Sequence, residues 1–215
     1  GSGKNNTWTK NMIDGYKNRF TVKNIKNDNE GESSYGHESV ENILKAFELF
    51  KINGQNVAVV GSEKPWIEAI LLNLGNNVTT IEYNSRKIVY DRLTCRDYFE
   101  YFEKTSDKFD AIVTFSSIEH SGLGRYGDPL DPDGDLRTMK VIHDRLKDDG
   151  VLIWGAPVGR DVVCWNAHRV YGRVRLSKIF DGFKEKKWIS KHKKEKVLNL
   201  ELGSYIQPVI VLKKN

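Results

Sequence analysis

The chain has 215 residues, a formal net charge of +5, 39% hydrophobic residues and 29% charged ones. That length suits one domain with a full core, and so modest a positive charge leaves no nucleic-acid footprint. Two distant cysteines, Cys95 and Cys164, exclude a disulfide framework and point to a reducing, cytoplasmic setting; no apolar run reaches the roughly 18–20 residues of a membrane span, and no signal-peptide pattern is present.

Gly1 and Ser2 read as the remnant of an expression tag. Residues 1–36 are a polar arm rich in Lys and Asn, with a short helix near 8–18 followed by extended chain. Residues 37–215 form the main domain. Val40, Ile43, Leu44 and Phe47 recur at helical spacing within His37 to Phe50, and Asn53-Gly54 ends that helix. Asn56 to Val60 is an apolar strand, Trp66 to Leu74 a helix introduced by Pro65 and closed by Gly75, and Val78 to Ile81 a second strand. Leu93 to Cys95 is a third short strand, 97–103 a helix and Ala111 to Phe115 a fourth strand. Leu136 to Leu146 is an amphipathic helix, Val151 to Trp154 a fifth strand, Gly155 to Arg173 a long loop and Arg175 to Phe180 a short helix. The chain closes with strands Lys186–Ser190 and Tyr205–Leu212. Strand–helix alternation followed by a β-rich end predicts an α/β fold. The expected architecture is a Rossmann-like, seven-stranded, mostly parallel sheet with antiparallel C-terminal strands and helices on both faces.

Val57-Ala58-Val59-Val60-Gly61 runs through a short loop into a helix, whose N-terminal amides favour a carboxylate or phosphate. Glu82 follows Gly61 at about the distance at which an acid takes ribose hydroxyls. Gly61, Ser62, Glu63, Trp66, Glu82, Tyr83, Asn84 and Asp97 are therefore candidate cofactor-binding residues. The alternative is an ordinary turn with a capping Ser62 and a solvent-facing Glu82. A G-x-G-x-x-G motif is missing, which argues against a dinucleotide more than against S-adenosylmethionine (SAM), which has no pyrophosphate.

The segment from Asp110 to Asp135 turns from an apolar strand into a loop dense in polar residues and glycine. Ligands bind beyond the carboxyl ends of strands in open α/β sheets. Ser116, Ser117 and Glu119 are expected to line a cofactor pocket, and His120 to act as a base near neutral pH. The opposing reading makes His120 a structural tie within the loop. The second loop adds His168 as another candidate base. Arg125, Tyr126, Asp128, Asp161, Trp165, Asn166, Arg169 and Tyr171 are candidate acceptor-binding residues, with Trp165 and Tyr171 alternatively packing residues. Asp128, Asp131, Asp133 and Asp135 have oxygen ligands suited to a hard cation; the favoured reading has Asp133 or Asp135 capping the following helix, with no metal. Lys184 to Lys196 is read as the solvated face of an edge strand rather than a nucleic-acid surface.

FSSIEHSGLGRYGDPLDPDGD and DGVLIWGAPVGRDVVCWNAHRVYG resemble a SAM-methyltransferase-like family first catalogued as a nematode domain of unknown function. The resemblance spans roughly 56–183, and the wider class I SAM-dependent methyltransferase superfamily supplies the assignments of Gly61 and Glu82. The Lys/Asn-rich composition is also similar to that of chlorovirus glycan-synthesis methyltransferase domains. These resemblances imply a SAM-dependent O-methyltransferase, releasing S-adenosylhomocysteine (SAH), that acts on a sugar or glycan hydroxyl such as that of rhamnose. They further imply linkage to other glycan-synthesis domains and, for a viral chain, the host cytoplasm. The rival readings are a non-catalytic module that binds a glycan or partner and a Rossmann-type reductase, the latter disfavoured by the missing glycines.

Overall fold

The computed structural model describes residues 7–27, 33–83 and 86–215, and the chain divides into two compact units at residue 105. The main sheet has seven strands, parallel except for its two C-terminal ones.

In the first unit, α1 (Lys10–Arg19) and α2 (Val22–Lys26) each start on a threonine whose hydroxyl accepts a backbone N–H, Thr9 from Met12 and Thr21 from Asn24. An extended arm was expected over 22–26, but that segment is helical and buries Ile25; Trp8, Ile13 and Phe20 are buried too. The arm has too many periodic apolar residues to stay solvated. α3 (His37–Leu49) buries the predicted stripe of Val40, Ile43, Leu44 and Phe47. β1 (Asn56–Val60) is buried from Val57 onward, each valine contributing about 1.5–3 kcal/mol. α4 (Trp66–Asn73) ends with the Asn73 amide donating to the Lys17 and Phe20 carbonyls, which ties α1 to it. β2 (Asn77–Glu82) runs parallel to β1, and β3 (Leu93–Asp97) parallel to β2. Buried Asn76 accepts the Gln55 N–H and donates to the Leu71 and Ile52 carbonyls, locking the entrances of β1 and β2 together. The expected helix at 97–103 is a π-helical turn over 98–102, started by Asp97.

In the second unit the strand order is β4 (Phe109–Phe115), β5 (Leu146–Gly155), β11 (Val209–Lys214) and β9 (Phe183–Ile189). α5 (Gly134–Arg145) joins β4 to β5. β5 begins earlier than expected because Leu146 pairs with Phe109 and Val151 with Ala111, so Lys147 to Gly150 bulge out opposite Asp110. Gly155 to Arg173 is not one open loop: β6 (Val158–Gly159) is followed by a hairpin of β7 (Val162–Cys164) and β8 (His168–Val170). α6 (Arg173–Ile179) and α7 (Lys194–Val197) flank β9 in sequence. The expected strand 205–212 splits at Gln207-Pro208: β10 (Tyr205–Ile206) pairs with β6, and β11 enters the main sheet. Pro208 has no N–H to continue a ladder. The lysine-rich β9 is a sheet edge, as expected. No helix among the described residues is long and apolar enough to cross a membrane.

Candidate functional site

At the carboxyl end of β1, Gly61 takes a positive φ of 75° and donates its N–H to the Ile81 carbonyl. The next amide, Ser62 N–H, donates to Glu82 Oε1 at 2.5 Å. Glu82 thus grips the loop that follows the neighbouring strand. Burial pushes its pKa up, while Arg86 and the Ser62 amide oppose that. Arg86 Nη1 donates to the Ser62 carbonyl at 2.7 Å and the Glu63 carbonyl at 3.4 Å, and Nη2 lies 3.7 Å from Glu82 Oε1. Its guanidinium also stacks over the Trp8 ring, 4.8 Å from the centroid. Beneath the loop, Glu68 is fully buried near Ser62 and Thr80, and burial drives its pKa up to about 7.

The other candidates in this unit differ in burial and in partners. Trp66 is a buried residue packed beside Phe20 and Tyr35. Asp97 Oδ1 accepts the Phe99 and Glu100 amides and so caps the π-helical turn. The Tyr83 ring stacks on Phe99 and meets Tyr98 edge-on, half-buried. Glu63 has an exposed side chain, and Asn84 lies outside the described residues.

In the second unit, β4 is followed by Ser116, a non-glycine residue held at φ 52°, whose N–H donates to the Gly155 carbonyl. This left-handed turn starts the 3₁₀ segment Ile118–His120. Glu119 is almost wholly buried, and the Ser116 hydroxyl and Ser117 amide donate to it. Burial carries its pKa up to about 7, and its Oε2 has no partner. Its other oxygen, Oε1, lies 3.7 Å from His120 Nε2.

His120 Nδ1 lies 2.5 Å from the Ala167 carbonyl. A carbonyl only accepts, so Nδ1 carries the proton and Nε2 is the lone-pair nitrogen of the neutral ring. Burial pushes the His120 pKa down, Arg125 and His168 add to that, and the Ala167 carbonyl and Asp128 oppose it. His168 is lowered by burial and then by Arg125. Four rings stand in sequence: Tyr126, His120, His168 and Tyr205, with centroid separations of 5.5, 6.4 and 5.5 Å. Tyr126 and Tyr205 are exposed, and Arg125 lies over the Tyr126 ring. Trp165 and Asn166, the latter at φ 51°, form the exposed tip of the β7–β8 hairpin. This row has apolar ring faces with polar edges.

Four further acceptor candidates, Tyr171 being the one with a packing alternative, have structural partners. Asp128 accepts the Gly122, Gly124 and Tyr126 amides and shapes the loop. Asp161 accepts the Gly172, Val174 and Arg175 amides, capping α6 from a distant segment. Tyr171 is fully buried against Trp154, with its hydroxyl donating to Asp135 Oδ2 at 3.2 Å. Arg169, 3% exposed, donates to the Ser121 carbonyl at 2.6 Å and the Pro132 carbonyl at 3.1 Å, and its Nε lies 3.6 Å from Asp135. Asp135 also binds Arg175, so this carboxylate is the hub of a buried ionic cluster, and it accepts the Leu136 amide besides. Asp133 stands at the start of α5 without a side-chain cap bond. Among the described residues no group of three or more His, Cys, Asp or Glu could hold a metal. Glu68, Arg86, Arg175 and Tyr205 are residues around these loops that sequence reasoning missed, and Asp135 was named there only as a cation ligand or helix cap. Only the placement of Glu68 in a helix with an otherwise apolar first turn hinted at a role.

The family model described as Caenorhabditis protein of unknown function, DUF268, matches residues 54–210. No curated protein matches the sequence. Among solved structures, 1,6-didemethyltoxoflavin-N1-methyltransferase of Burkholderia thailandensis, with 1,6-didemethyltoxoflavin and SAH bound, is 14% identical at a TM-score of 0.59, over 81% of this chain and 77% of that one. The N-methyltransferase NodS of Bradyrhizobium japonicum WM9 with SAH is 13% identical at a TM-score of 0.59, over 95% of this chain and 98% of that one. The mitomycin 7-O-methyltransferase MmcR is 12% identical at 0.51, over 83% and 57%. Similarity at this level establishes architecture, and the architecture agrees with the strand order and the antiparallel C-terminal pair. The chain belongs to the family described as Caenorhabditis protein of unknown function, DUF268, and has the Rossmann-like fold of class I SAM-dependent methyltransferases.

Proposed function

We propose that the protein is a SAM-dependent O-methyltransferase whose acceptor is a hydroxyl of a sugar or glycan, a terminal deoxyhexose such as rhamnose being the leading candidate. The observation that carries the methyltransferase reading is the Glu82 carboxylate at the end of β2, bonded to the Ser62 amide at the end of β1. Oε1 is committed to that amide, and Oε2 is the oxygen suited to a ribose hydroxyl. The residues thus fit the nucleoside end of the cofactor, which supplies an electrophilic methyl group on a sulfonium. Gly61, Ser62, Glu82 and Tyr83 are the residues that would hold it.

His120 is the proposed base. With Nδ1–H fixed on Ala167, its Nε2 lone pair accepts the acceptor's hydroxyl proton as the oxygen–methyl bond forms. A lowered pKa keeps the ring neutral, and so competent, at pH 7. Arg125, Tyr126, Trp165, Asn166 and His168 are the candidate acceptor contacts, with tyrosine and tryptophan faces meeting sugar C–H groups. Catalysis beyond proton removal comes from holding the reacting atoms in near-attack geometry. Calorimetric titration with SAH and mass spectrometry of a sugar panel after incubation with SAM test the proposal. Transfer to nitrogen acceptors only would sink the sugar assignment; no SAH binding by folded protein would sink the whole reading.

A second reading, a non-catalytic glycan- or partner-binding module, draws support from the close approach of Arg86 to Glu82. It predicts acceptor binding with no methyl transfer from labelled SAM.

A further inference from the structure

Glu68 is a fully buried carboxyl that the proposed reaction does not use. It lies in the first turn of α4, and its neighbours are hydroxyls: Thr80 Oγ1 at 2.9 Å from Oε1 and Ser62 Oγ at 3.0 Å from Oε2. Other ionisable groups around it are few. Glu82 acts on it from β2, and Glu68 in turn acts on Cys95 of β3, whose thiol also feels Glu82 and Arg86.

Burial and the count of protons favour the neutral form of Glu68, whereas its own backbone amide, Ser62 and Thr80 favour the charged one. Ser62 Oγ has one proton but two oxygen neighbours, Glu68 Oε2 and the Lys64 carbonyl at 3.1 Å. If Glu68 is ionised, one of these contacts sets two acceptors against each other. If Glu68 is the neutral acid, all are satisfied: Thr80 donates to Oε1, the acid donates to Ser62 Oγ, and Ser62 donates to the Lys64 carbonyl. Burial favours the same form, and the raised pKa of about 7 agrees with it. The residue so held is the one whose amide binds Glu82.

We propose that Glu68 is a positioning residue of the cofactor loop: as a neutral acid it donates to Ser62 and thereby keeps the Ser62 amide on Glu82, so that ligand affinity at these strand ends is linked to the protonation of one buried side chain. The loop has a single glycine and no repeated-glycine motif to preset its backbone. A side-chain brace from below supplies the same order. The inference rests on the cofactor assignment above for its ligand, but not for its geometry.

The test compares wild-type protein with Glu68→Gln and Ser62→Ala, titrated calorimetrically with SAH from about pH 6 to about pH 9. The glutamine amide donates to Ser62 and accepts from Thr80, as the neutral acid does. Wild-type affinity should fall by up to about tenfold per pH unit above neutrality, whereas Glu68→Gln should stay flat and match the wild type at low pH. Ser62→Ala should bind more weakly and lose most of the pH dependence. Equal pH profiles for wild type and Glu68→Gln would overturn the proposal. If the wild type binds no SAH at any pH, the cofactor assignment fails and the brace is judged separately by NMR. The Ser62 amide resonance should shift through neutrality in the wild type and not in Glu68→Gln; a resonance indifferent to pH in both would refute the brace.

Discussion

Replacing Asp135 with asparagine should be among the most damaging single changes available in the second unit. Asp135 is fully buried and receives Arg169, Arg175 and the Tyr171 hydroxyl. Asparagine keeps the shape and one acceptor oxygen but removes the charge. Arg169, 3% exposed, is then left as a buried cation, a situation that costs about 3–5 kcal/mol when a buried pair is broken. The Ser121, Pro132, Glu119 and Asp131 carbonyls around its guanidinium soften the loss, which places the expectation near the lower bound, about 3 kcal/mol. That is a large share of the roughly 5–15 kcal/mol that holds a domain together. Urea denaturation followed by tryptophan fluorescence measures it: the midpoint should fall with the slope unchanged. A loss under about 1 kcal/mol, the size of a single neutral hydrogen bond, would refute the account of Asp135 as an ionic hub. Tyr171→Phe removes only the hydroxyl's bond and should cost about 1 kcal/mol.

Further outcomes are expected elsewhere. Glu68 and Glu119 each have a folded pKa of about 7 against an ordinary 4.5, so the folded state holds more protons than the unfolded one between those values. Stability should therefore be highest at the acid end of that window and fall as pH rises through it, by up to about 3 kcal/mol per group. Urea midpoints should fall less steeply with pH in Glu68→Gln and Glu119→Gln; an unchanged pH slope would contradict the burial argument. Asp161→Ala should cost about 1–2 kcal/mol and loosen the start of α6, visible as faster amide exchange at Val174 and Arg175. His120→Ala should lower kcat at least about a hundredfold while leaving SAH affinity intact; turnover equal to wild type would remove it as the base.

The fold was legible where one element is self-sufficient in apolar residues. β1 and β4 are continuous buried runs, α3 shows a clean stripe, and each was placed within a residue or two. Short elements were not legible. β6, β7 and β8 have two or three residues each, too few to show alternation, and β6 pairs with β10, a strand distant in sequence. In the site, the residue types were apt but their tasks were not readable. Asp161 and Asp128 look like ligand-binding acids until backbone amides are found around them. Tyr171 and Arg169 belong to the cluster around Asp135 because α5 and α6 bring Asp135 and Arg175 to one place, which no local pattern records. The exposed Tyr126, Trp165 and Asn166 and the two histidines keep their candidacy.

The bond from His120 to Ala167 joins positions 47 residues apart, the second of them in the turn of a three-residue hairpin. Hairpin turns are where chains ordinarily accept inserted residues with little harm. Here the turn also decides which ring nitrogen holds hydrogen. Lengthening the segment Trp165 to Ala167 by one residue would withdraw the carbonyl and free the imidazole to exchange tautomers. On the proposed mechanism, a protein that remains folded and stable would then lose methyl transfer through a change of loop length alone, with every side chain of the row still present.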